Sequence, residues 1–489
     1  MSEEVTNFNS SSHHEYAVKG HKSTRILFVA LFILAIFLRL ALVIINREAN
    51  DTHWDVAMVI LEAGSLPSKA DCWECFQPKL YHVVFAKSIQ ILGLAHLPPS
   101  KLNVIGQILS FAAGISTLVL AWRFVRHMRL DPWKQLILFS LFALNPPLAA
   151  IHAQATNDSF AIFFSTLGLY YTYDFLRKPN KKAFLIILTS VSLGISSKTN
   201  VWVTAIAIFI SLEVMAWAVR EHRRKYTQQV IIFSVCITII AVLNPLNQYI
   251  SNLQEYRSPI VNNIAAQPLP HLFTKTTYAR PGILSITDGF WTFRFGELIQ
   301  HPRVERDEEI IPLFRTSFWS LLYGRAHSIH FDNWPPGWST SNSSLFPLSR
   351  AILLLAIPPT FIVLLGAWIE LRLLLKGLVA RDSGLVRMAD FGLSALVFYG
   401  YILFLIFYAL IYRDHSVIKA IFISPGLLAY LVLFSRAVES ILAWSGRWQR
   451  VVSKCIVILC TGLIAFYTAD IVALILRLAQ QQLESRGGL

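Results

Sequence analysis

Residues 47 to 82 read REANDTHWDVAMVILEAGSLPSKADCWECFQPKLYH and hold Asp51, His53, Asp55, Glu62, Glu74, Lys79 and His82 between two apolar segments. The chain is 55% hydrophobic and 15% charged, so acids set in that position need a reason. Ionisable groups beside a bilayer mark places where chemistry or transport occurs. Asp51 and Asp55 stand four residues apart and share one face if the segment is helical. The plainer reading makes Asp51 or Thr52 a cap for a helix over 54–63, and a capping carboxylate can still expose one oxygen. Cys72 and Cys75 form a lone C-x-x-C in the same stretch. Without a second pair zinc is disfavoured; a local disulfide and two unpaired thiols packed beside Trp73 both remain open.

These residues must be positioned by membrane helices. A mean hydropathy of +0.52 over 489 residues excludes an ordinary soluble enzyme. Eleven apolar runs have about the length an α-helix needs to cross the hydrocarbon layer. They lie near 26–46, 102–121, 135–151, 158–176, 183–197, 201–219, 230–250, 350–371, 389–411, 417–434 and 452–476. The fold class expected is an all-α polytopic membrane protein. With the N-terminus inside, every second connection is basic: Arg123, Arg126 and Arg129; then Arg177, Lys178, Lys181 and Lys182; then Arg220, Arg223, Arg224 and Lys225. Arg372, Lys376, Arg381 and Arg387 follow, and then Arg436, Arg447, Arg450 and Lys454. That alternation is the positive-inside pattern. Counting 80–97 as a twelfth span would put the later basic loops outside, so it is read as an interfacial helix. The net charge of +14 is therefore topological, and no nucleic-acid partner is implied.

The expected organisation is a structureless inner tail over 1–25, a membrane module over 26–250 with an outward loop at 47–101, and a long outward loop over 251–349. Further membrane helices cover 350–478, and a short outward tail ends the chain at 479–489. The long loop balances eight basic against eight acidic residues and is rich in aromatics, suited to covering a site on the membrane face. Within it, Arg315, Arg325 and His330 are candidates for acceptor or phosphate contacts. Asn157 and Asp158 open an expected span, where capping and a site role are both open readings for Asp158. Lys198 and Lys419 lie on the side where positive charge is disfavoured, which favours function over snorkelling. Arg413, Asp414 and His415 sit at an outward span end, the first two as a local ion pair and His415 within reach of an anionic headgroup. There is no P-loop and no segment large enough for a dinucleotide fold.

The chain resembles the GT-C membrane glycosyltransferases, in the branch of protein O-mannosyltransferases and aminoarabinose transferases (glycosyltransferase family 39-like). That branch places an acid shortly after the first span and, some residues later, a His-Pro-Pro-Leu-like motif opening a juxtamembrane helix. Here the two read Asn50-Asp51-Thr52-His53-Trp54 and Gln77-Pro78-Lys79-Leu80-Tyr81. Thr52 stands where the family often has Glu, and Lys79 where a second Pro is usual. Gln154-Ala155-Thr156-Asn157-Asp158, Ser197-Lys198-Thr199 and Val417-Ile418-Lys419-Ala420 with Phe422 and Pro425 are similar to later family motifs.

The resemblance implies an inverting transfer of a hexose or pentose from a polyprenyl (dolichyl) phosphate to an acceptor on the periplasmic or luminal side. One base must deprotonate the acceptor hydroxyl. By position that is Asp51, with Asp55 as the other carboxylate. The leaving lipid phosphate needs cations rather than a general acid. Lys198, Arg413 and Lys419 are placed for it; Glu74, Lys79, His82, Asn157, Asp158 and His415 complete the expected substrate-binding set. Neither Lys198 nor Lys419 is expected to be needed for folding. No cofactor or metal is required, although a divalent cation is compatible with the scheme. The partners implied are the lipid-phosphate sugar, membrane lipids and a glycan, lipid or protein acceptor. The bacterial cytoplasmic membrane is favoured over the ER membrane. A secondary transporter or a non-catalytic scaffold is the alternative, although no internal repeat is visible and the charges cluster at span ends.

Overall fold

The computed structural model describes residues 10–46, 53–128, 130–218, 223–259, 261, 289–302, 317–329, 345–380, 392–412 and 418–487. Every regular element among them is a helix. Eight of these helices are long and apolar enough to cross a membrane: Arg25–Ile45, Pro99–His127, Thr199–Trp217, Arg223–Leu243, Phe346–Val379, Leu393–Leu410, Ala420–Trp444 and Gly446–Glu484. The chain is a multi-pass membrane protein, as its composition predicts.

Helix α1 (Ser10–Ile45) begins well inside the segment expected to lack structure, so the inner tail is helical from Ser10 onward. Helices α2 (His53–Ala63) and α3 (Leu80–Ile91) form the outward pair of the first loop. The 12 residues of α3 rise about 18 Å, well short of the roughly 30 Å hydrocarbon layer. It is not among the helices long enough to span, in keeping with its reading as an interfacial helix. The pair has its own small core of Val56, Ala57, Ile60, Cys75, Phe85, Ala86 and Ile89, which continues onto Leu102 of α4 (Pro99–His127). The Tyr81 hydroxyl ties α3 to α4 by donating to the Gly106 carbonyl at 2.9 Å.

The expected span at 135–151 is broken in two, α5 (Pro132–Ala143) and α6 (Pro146–Ile151). Pro146 and Pro147 supply no backbone N–H to continue the ladder. Asn145 instead starts the second piece by accepting from the Leu148 amide at 3.0 Å. Where spans are expected near 158–176 and 183–197 the structure has α7 (Asp158–Arg177) and α8 (Lys181–Ser197), packed closely on each other; neither is among the eight helices long and apolar enough to span, against the eleven expected. A short 3-10 turn, Thr199–Val201, leads into α9 (Trp202–Ala218), which packs on α10 (Arg223–Leu243).

The described parts of the long outward region contain α11 (Tyr249–Tyr256), α12 (Phe295–Gln300) and α13 (Phe318–His327). The span that follows is kinked at Ala356 between α14 (Phe346–Leu355) and α15 (Ile357–Ala380), with Pro358 and Pro359 in the first turn of the second piece, where proline is tolerated. Helix α16 (Leu393–Tyr412) precedes a 3-10 segment, Ala420–Gly426, that contains Pro425 and runs into α17 (Leu427–Trp444). Helix α18 (Gln449–Gly487) is the last described element and runs through most of the segment expected as a short tail. Two of these helices meet closely: a Cβ at Gly366 in α15 would overlap the Leu433 carbonyl of α17. Small residues allow such approaches between membrane helices.

Candidate functional site

Four chain breaks converge: the start of α3, the start of α7, the turn after α8 and the start of the 3-10 segment at Ala420. Each carries a polar residue singled out above. At the start of α7, Asp158 is 3% exposed and Asn157 fully buried. The Lys198 ammonium, just past α8, lies 2.7 Å from Asp158 Oδ1 and donates to Asn157 Oδ1 at 3.3 Å. It also lies over the Phe422 ring, 5.3 Å from its centroid, a cation–π arrangement.

Asn157 spends both N–H donors, on Gln77 Oε1 at 2.6 Å and on the Ser197 carbonyl at 3.1 Å. Gln77 in turn donates to Glu74. A continuous hydrogen-bonded path thus runs from Glu74 in the first outward loop to Lys198 and Asp158. Asp158 is therefore an ion-pair partner rather than only a residue at a helix start. The expectation that Lys198 satisfies no buried partner is overturned by the same contact. Once α7 and α8 pack, neither charge can be left alone out of water.

Lys79 is buried ahead of α3. Its ammonium donates to the Cys75 carbonyl and, at 2.8 Å, to that of Gln77, while its backbone N–H donates to the Leu246 carbonyl at 2.9 Å. Burial, aided by Lys69 and opposed by Glu74 and Asp71, pushes the Lys79 pKa down to about 7. Cys72 and Cys75 are joined as a disulfide, which resolves the two readings left open. The loop bearing Gln77 and Lys79 is thereby cross-linked, and Gln248 holds it from the other side by donating to the Pro67 carbonyl at 2.8 Å.

His82, one turn into α3, meets His53, the first residue of α2, with Nδ1 of His53 3.1 Å from Nε2 of His82. Both rings are fully buried. Burial first, then Lys198, Lys419 and Lys79, holds the His53 imidazole well below the ordinary histidine range. The same burial, then His53, Lys79 and Lys198, lowers that of His82. Lys198, through Asn157, and Lys79, through the Gln77 carbonyl, both meet Gln77. Lys419 lies just before the 3-10 segment, whose position is set by two bonds. Arg325 donates to the Ile418 carbonyl at 2.8 Å, and Asn200 donates to that of Phe422 at 3.1 Å.

Asp55 is half-buried on α2, and desolvation raises its carboxyl. Asp51, Arg413 and His415 lie outside the described residues, as do Arg315 and His330. Of the expected site residues that are described, Glu74, Lys79, Asn157, Asp158 and Lys198 are linked through Gln77, His82 meets His53, and Lys419 lies three residues before Phe422, whose ring Lys198 covers. It missed the part of His53, which stands two residues after Asp51 but shows its partner only in three dimensions. Among the described residues no group of three or more His, Cys, Asp or Glu could hold a metal ion.

An apolar cavity of about 770 Å³ lies nearby, between α5, α15, α16, α17 and α18 and under α13. Ala420, directly after Lys419, lines it together with Ile423, Leu427, Phe398 and Tyr467.

A sequence-family model described as dolichyl-phosphate-mannose-protein mannosyltransferase matches residues 101–247. That stretch carries Asn157, Asp158 and Lys198, and over it the resemblance to GT-C enzymes holds. No curated protein matches the chain. Among solved structures, the chain is similar to the Archaeoglobus fulgidus oligosaccharyltransferase in complex with Zn and sulfate, at 12% identity and a TM-score of 0.46. The similarity covers 90% of this chain and 53% of that one. A second is the archaeal oligosaccharyltransferase AglB of the same organism, in complex with an inhibitory peptide and a dolichol-phosphate (12% identity, TM-score 0.44, 91% and 56% covered). ArnT from Cupriavidus metallidurans in the apo state is matched at 10% identity and a TM-score of 0.34, over 87% of this chain and 80% of that one. The chain spans about half the length of the oligosaccharyltransferase structures it matches.

Proposed function

We propose that this protein is a membrane glycosyltransferase that moves a sugar from a polyprenyl (dolichyl) phosphate to an acceptor hydroxyl on its outward side, with inversion. The observation that carries the reading is the buried link from Lys198 through Asn157 to Gln77, whose carbonyl also accepts from Lys79, with Phe422 of the segment after Lys419 lying over Lys198. Lysines gathered in one water-poor place favour an anionic substrate group. The apolar cavity that opens beside Ala420 supports a lipid-borne anion, since an isoprenoid tail needs such a space between spans.

In this reading Asp51 accepts the acceptor's hydroxyl proton as the oxygen attacks the anomeric carbon from the face opposite the phosphate. The bond from that carbon to the phosphate oxygen breaks, and its electron pair leaves with the lipid phosphate. Lys198 and Lys419 meet the charge that develops there, and Lys79, near neutrality when the site is empty of anions, gains its proton as the phosphate enters. Asn157 and Asp158 hold Lys198 in place.

The test is purified protein with a polyprenyl-phosphate sugar and, separately, the nucleotide sugar. Turnover is expected with the lipid donor alone, and Asp51→Asn should lower it by about 10²- to 10⁴-fold, the range for a general base. Efficient turnover with the nucleotide sugar would sink the donor assignment. Activity lost in Asp55→Asn and kept in Asp51→Asn would move the base one helical turn along.

A further inference from the structure

Arg325 is one of the residues the sequence offers for direct contact with an anion, and the structure gives it different work. It lies in the last turn of α13 and is 6% exposed. Its Nη1 donates at 2.8 Å to the carbonyl of Ile418, 93 residues away. A buried guanidinium holds a backbone carbonyl firmly, because letting go would leave the carbonyl and one arm of the fork unpaired out of water.

The next residue is Lys419. Its backbone is extended, with φ −97° and ψ 123°, and its own carbonyl accepts from the Phe422 amide at 3.0 Å. The Phe422 carbonyl in turn accepts from Asn200 Nδ2 at 3.1 Å. Asn200 is 4% exposed and stands two residues after Lys198, whose ammonium lies over the Phe422 ring. The five residues Ile418 to Phe422 are thus pinned at one end by α13 and at the other by the turn after α8. That second pin also carries Lys198.

The same segment runs into the wall of the apolar cavity, which Ala420 and Ile423 line together with Trp319, Leu322 and Tyr323 of α13. Helix α13 is itself fixed to the bundle: Asn145 donates to the Ala326 carbonyl at 3.1 Å, and the Ile329 amide donates to Asp470 Oδ2 at 3.0 Å. Arg325 therefore hangs the Lys419 segment from an anchored cavity wall. A lipid phosphate needs the apolar space and the cations at once, and what it gains from having both depends on their register. We propose that Arg325 and Asn200 are positioning residues for the lipid phosphate: they hold Lys419 in register with the cavity wall and with Lys198, so that tail and headgroup are met together. Both act through Lys419 and not by touching the substrate. This rests on the donor reading above.

The experiment is titration of the purified full chain in detergent with farnesyl phosphate and, in parallel, with farnesol, which has the same tail and no charge. Wild type should prefer farnesyl phosphate. Lys419→Met should cut that preference by about 10-fold or more, as for loss of one charged hydrogen bond. Arg325→Met and Asn200→Leu should cut it by a similar factor while farnesol affinity changes by less than about twofold. Arg325→Lys, which can still donate to the carbonyl, should restore much of it. Arg325→Met combined with Lys419→Met should fall no further than Lys419→Met alone, because the arginine acts through that lysine. A full preference in Arg325→Met, or losses that add in the double variant, overturns the proposal. So does farnesol affinity that falls in step with farnesyl phosphate, the mark of a collapsed cavity. If Arg325→Met does not fold, Asn200→Leu decides, and a full preference kept there overturns the proposal. Loss in Lys419→Met with none in the Arg325 and Asn200 variants removes this inference and leaves the donor reading standing. A wild type indifferent to the phosphate takes both down.

Discussion

Replacing Lys198 separates two roles that the sequence joins in one residue. Its side chain is 10% exposed and that of Asp158 4%, at 2.7 Å. Removing one member of a buried pair strands the other, at a cost of about 3 to 5 kcal/mol for full burial. Because Lys198 keeps some water contact and Asp158 also accepts from the Thr156 hydroxyl at 3.2 Å, the lower end, about 3 kcal/mol, is expected for Lys198→Met. Removing both charges leaves nothing stranded. Lys198→Met/Asp158→Leu should therefore recover to within about 1 kcal/mol of wild type, a coupling of the size seen for residues in contact. Donor affinity should behave differently. Loss of a charged hydrogen bond to phosphate is worth about 1.5 to 3 kcal/mol, roughly 10- to 150-fold, and the double variant should not restore it. The assays are reversible unfolding in detergent for the first quantity and titration with the lipid phosphate for the second. A single variant as stable as wild type would refute the stranded-charge argument. A double variant that binds the donor normally would remove Lys198 from the phosphate.

Cross-linking at Cys72–Cys75 closes a very short loop, for which chain entropy alone gives about 2 kcal/mol. Reductant, or Cys72→Ser with Cys75→Ser, should loosen Lys79 and raise the donor KM more than it lowers kcat, with alkylation and mass measurement reporting the thiols. Lys79 has a folded pKa near 7 against 10.5 ordinarily, so between those values the unfolded chain binds more protons. Stability should accordingly rise with pH through that window, and Lys79→Met should flatten the rise between pH 7 and pH 9. A slope unchanged in the variant would show that the lysine is not the group titrating. Cysteines placed at 68, 70, 71, 300 or 301 should react with an impermeant reagent from outside, and those at 178–182 should not; external labelling of 178–182 would invert the site.

The membrane helices were legible because hydropathy and loop charge are local and read along the chain. The short α3 was legible for the same reason: charge on the loops beyond it forbade a span. The break at Asn145 and the proline pair could be seen as residues, but not as a break rather than a kink. Packing of α6 onto its neighbours decides that. Lys198 and Lys419 stood out because they sit at expected span ends on the side where positive charge is disfavoured, and the structure gives Lys198 a buried carboxylate partner. Contacts between distant segments left no trace. Asn157 meets Gln77 from 80 residues away, and His53 meets His82 across 29, with no periodicity to announce either. The cost assigned to Lys198 was wrong for the same reason, since its carboxylate partner lies 40 positions earlier in the chain.

The placement of these residues follows from what a bilayer permits. Inside the hydrocarbon every backbone group must be paired, so irregular chain is confined to protein-buried or aqueous edges. The breaks before α3, before α7, after α8 and before the 3-10 segment at Ala420 can exist only at such an edge, and packing draws them together. Three of them begin helical turns, whose first N–H groups carry partial positive charge. Each also supplies or adjoins a lysine. One carboxylate, Asp158, answers one of those lysines directly. A site built this way is electropositive before any substrate arrives, and it becomes most favourable when a dianion sits in it. That is the charge of a lipid phosphate that has just lost its sugar, so the same geometry that lowers the transfer barrier must also slow product release. Raising ionic strength should weaken farnesyl phosphate binding only modestly, because these charges are buried and poorly screened. A steep salt dependence would instead place the anion on the exposed surface and away from the lysines.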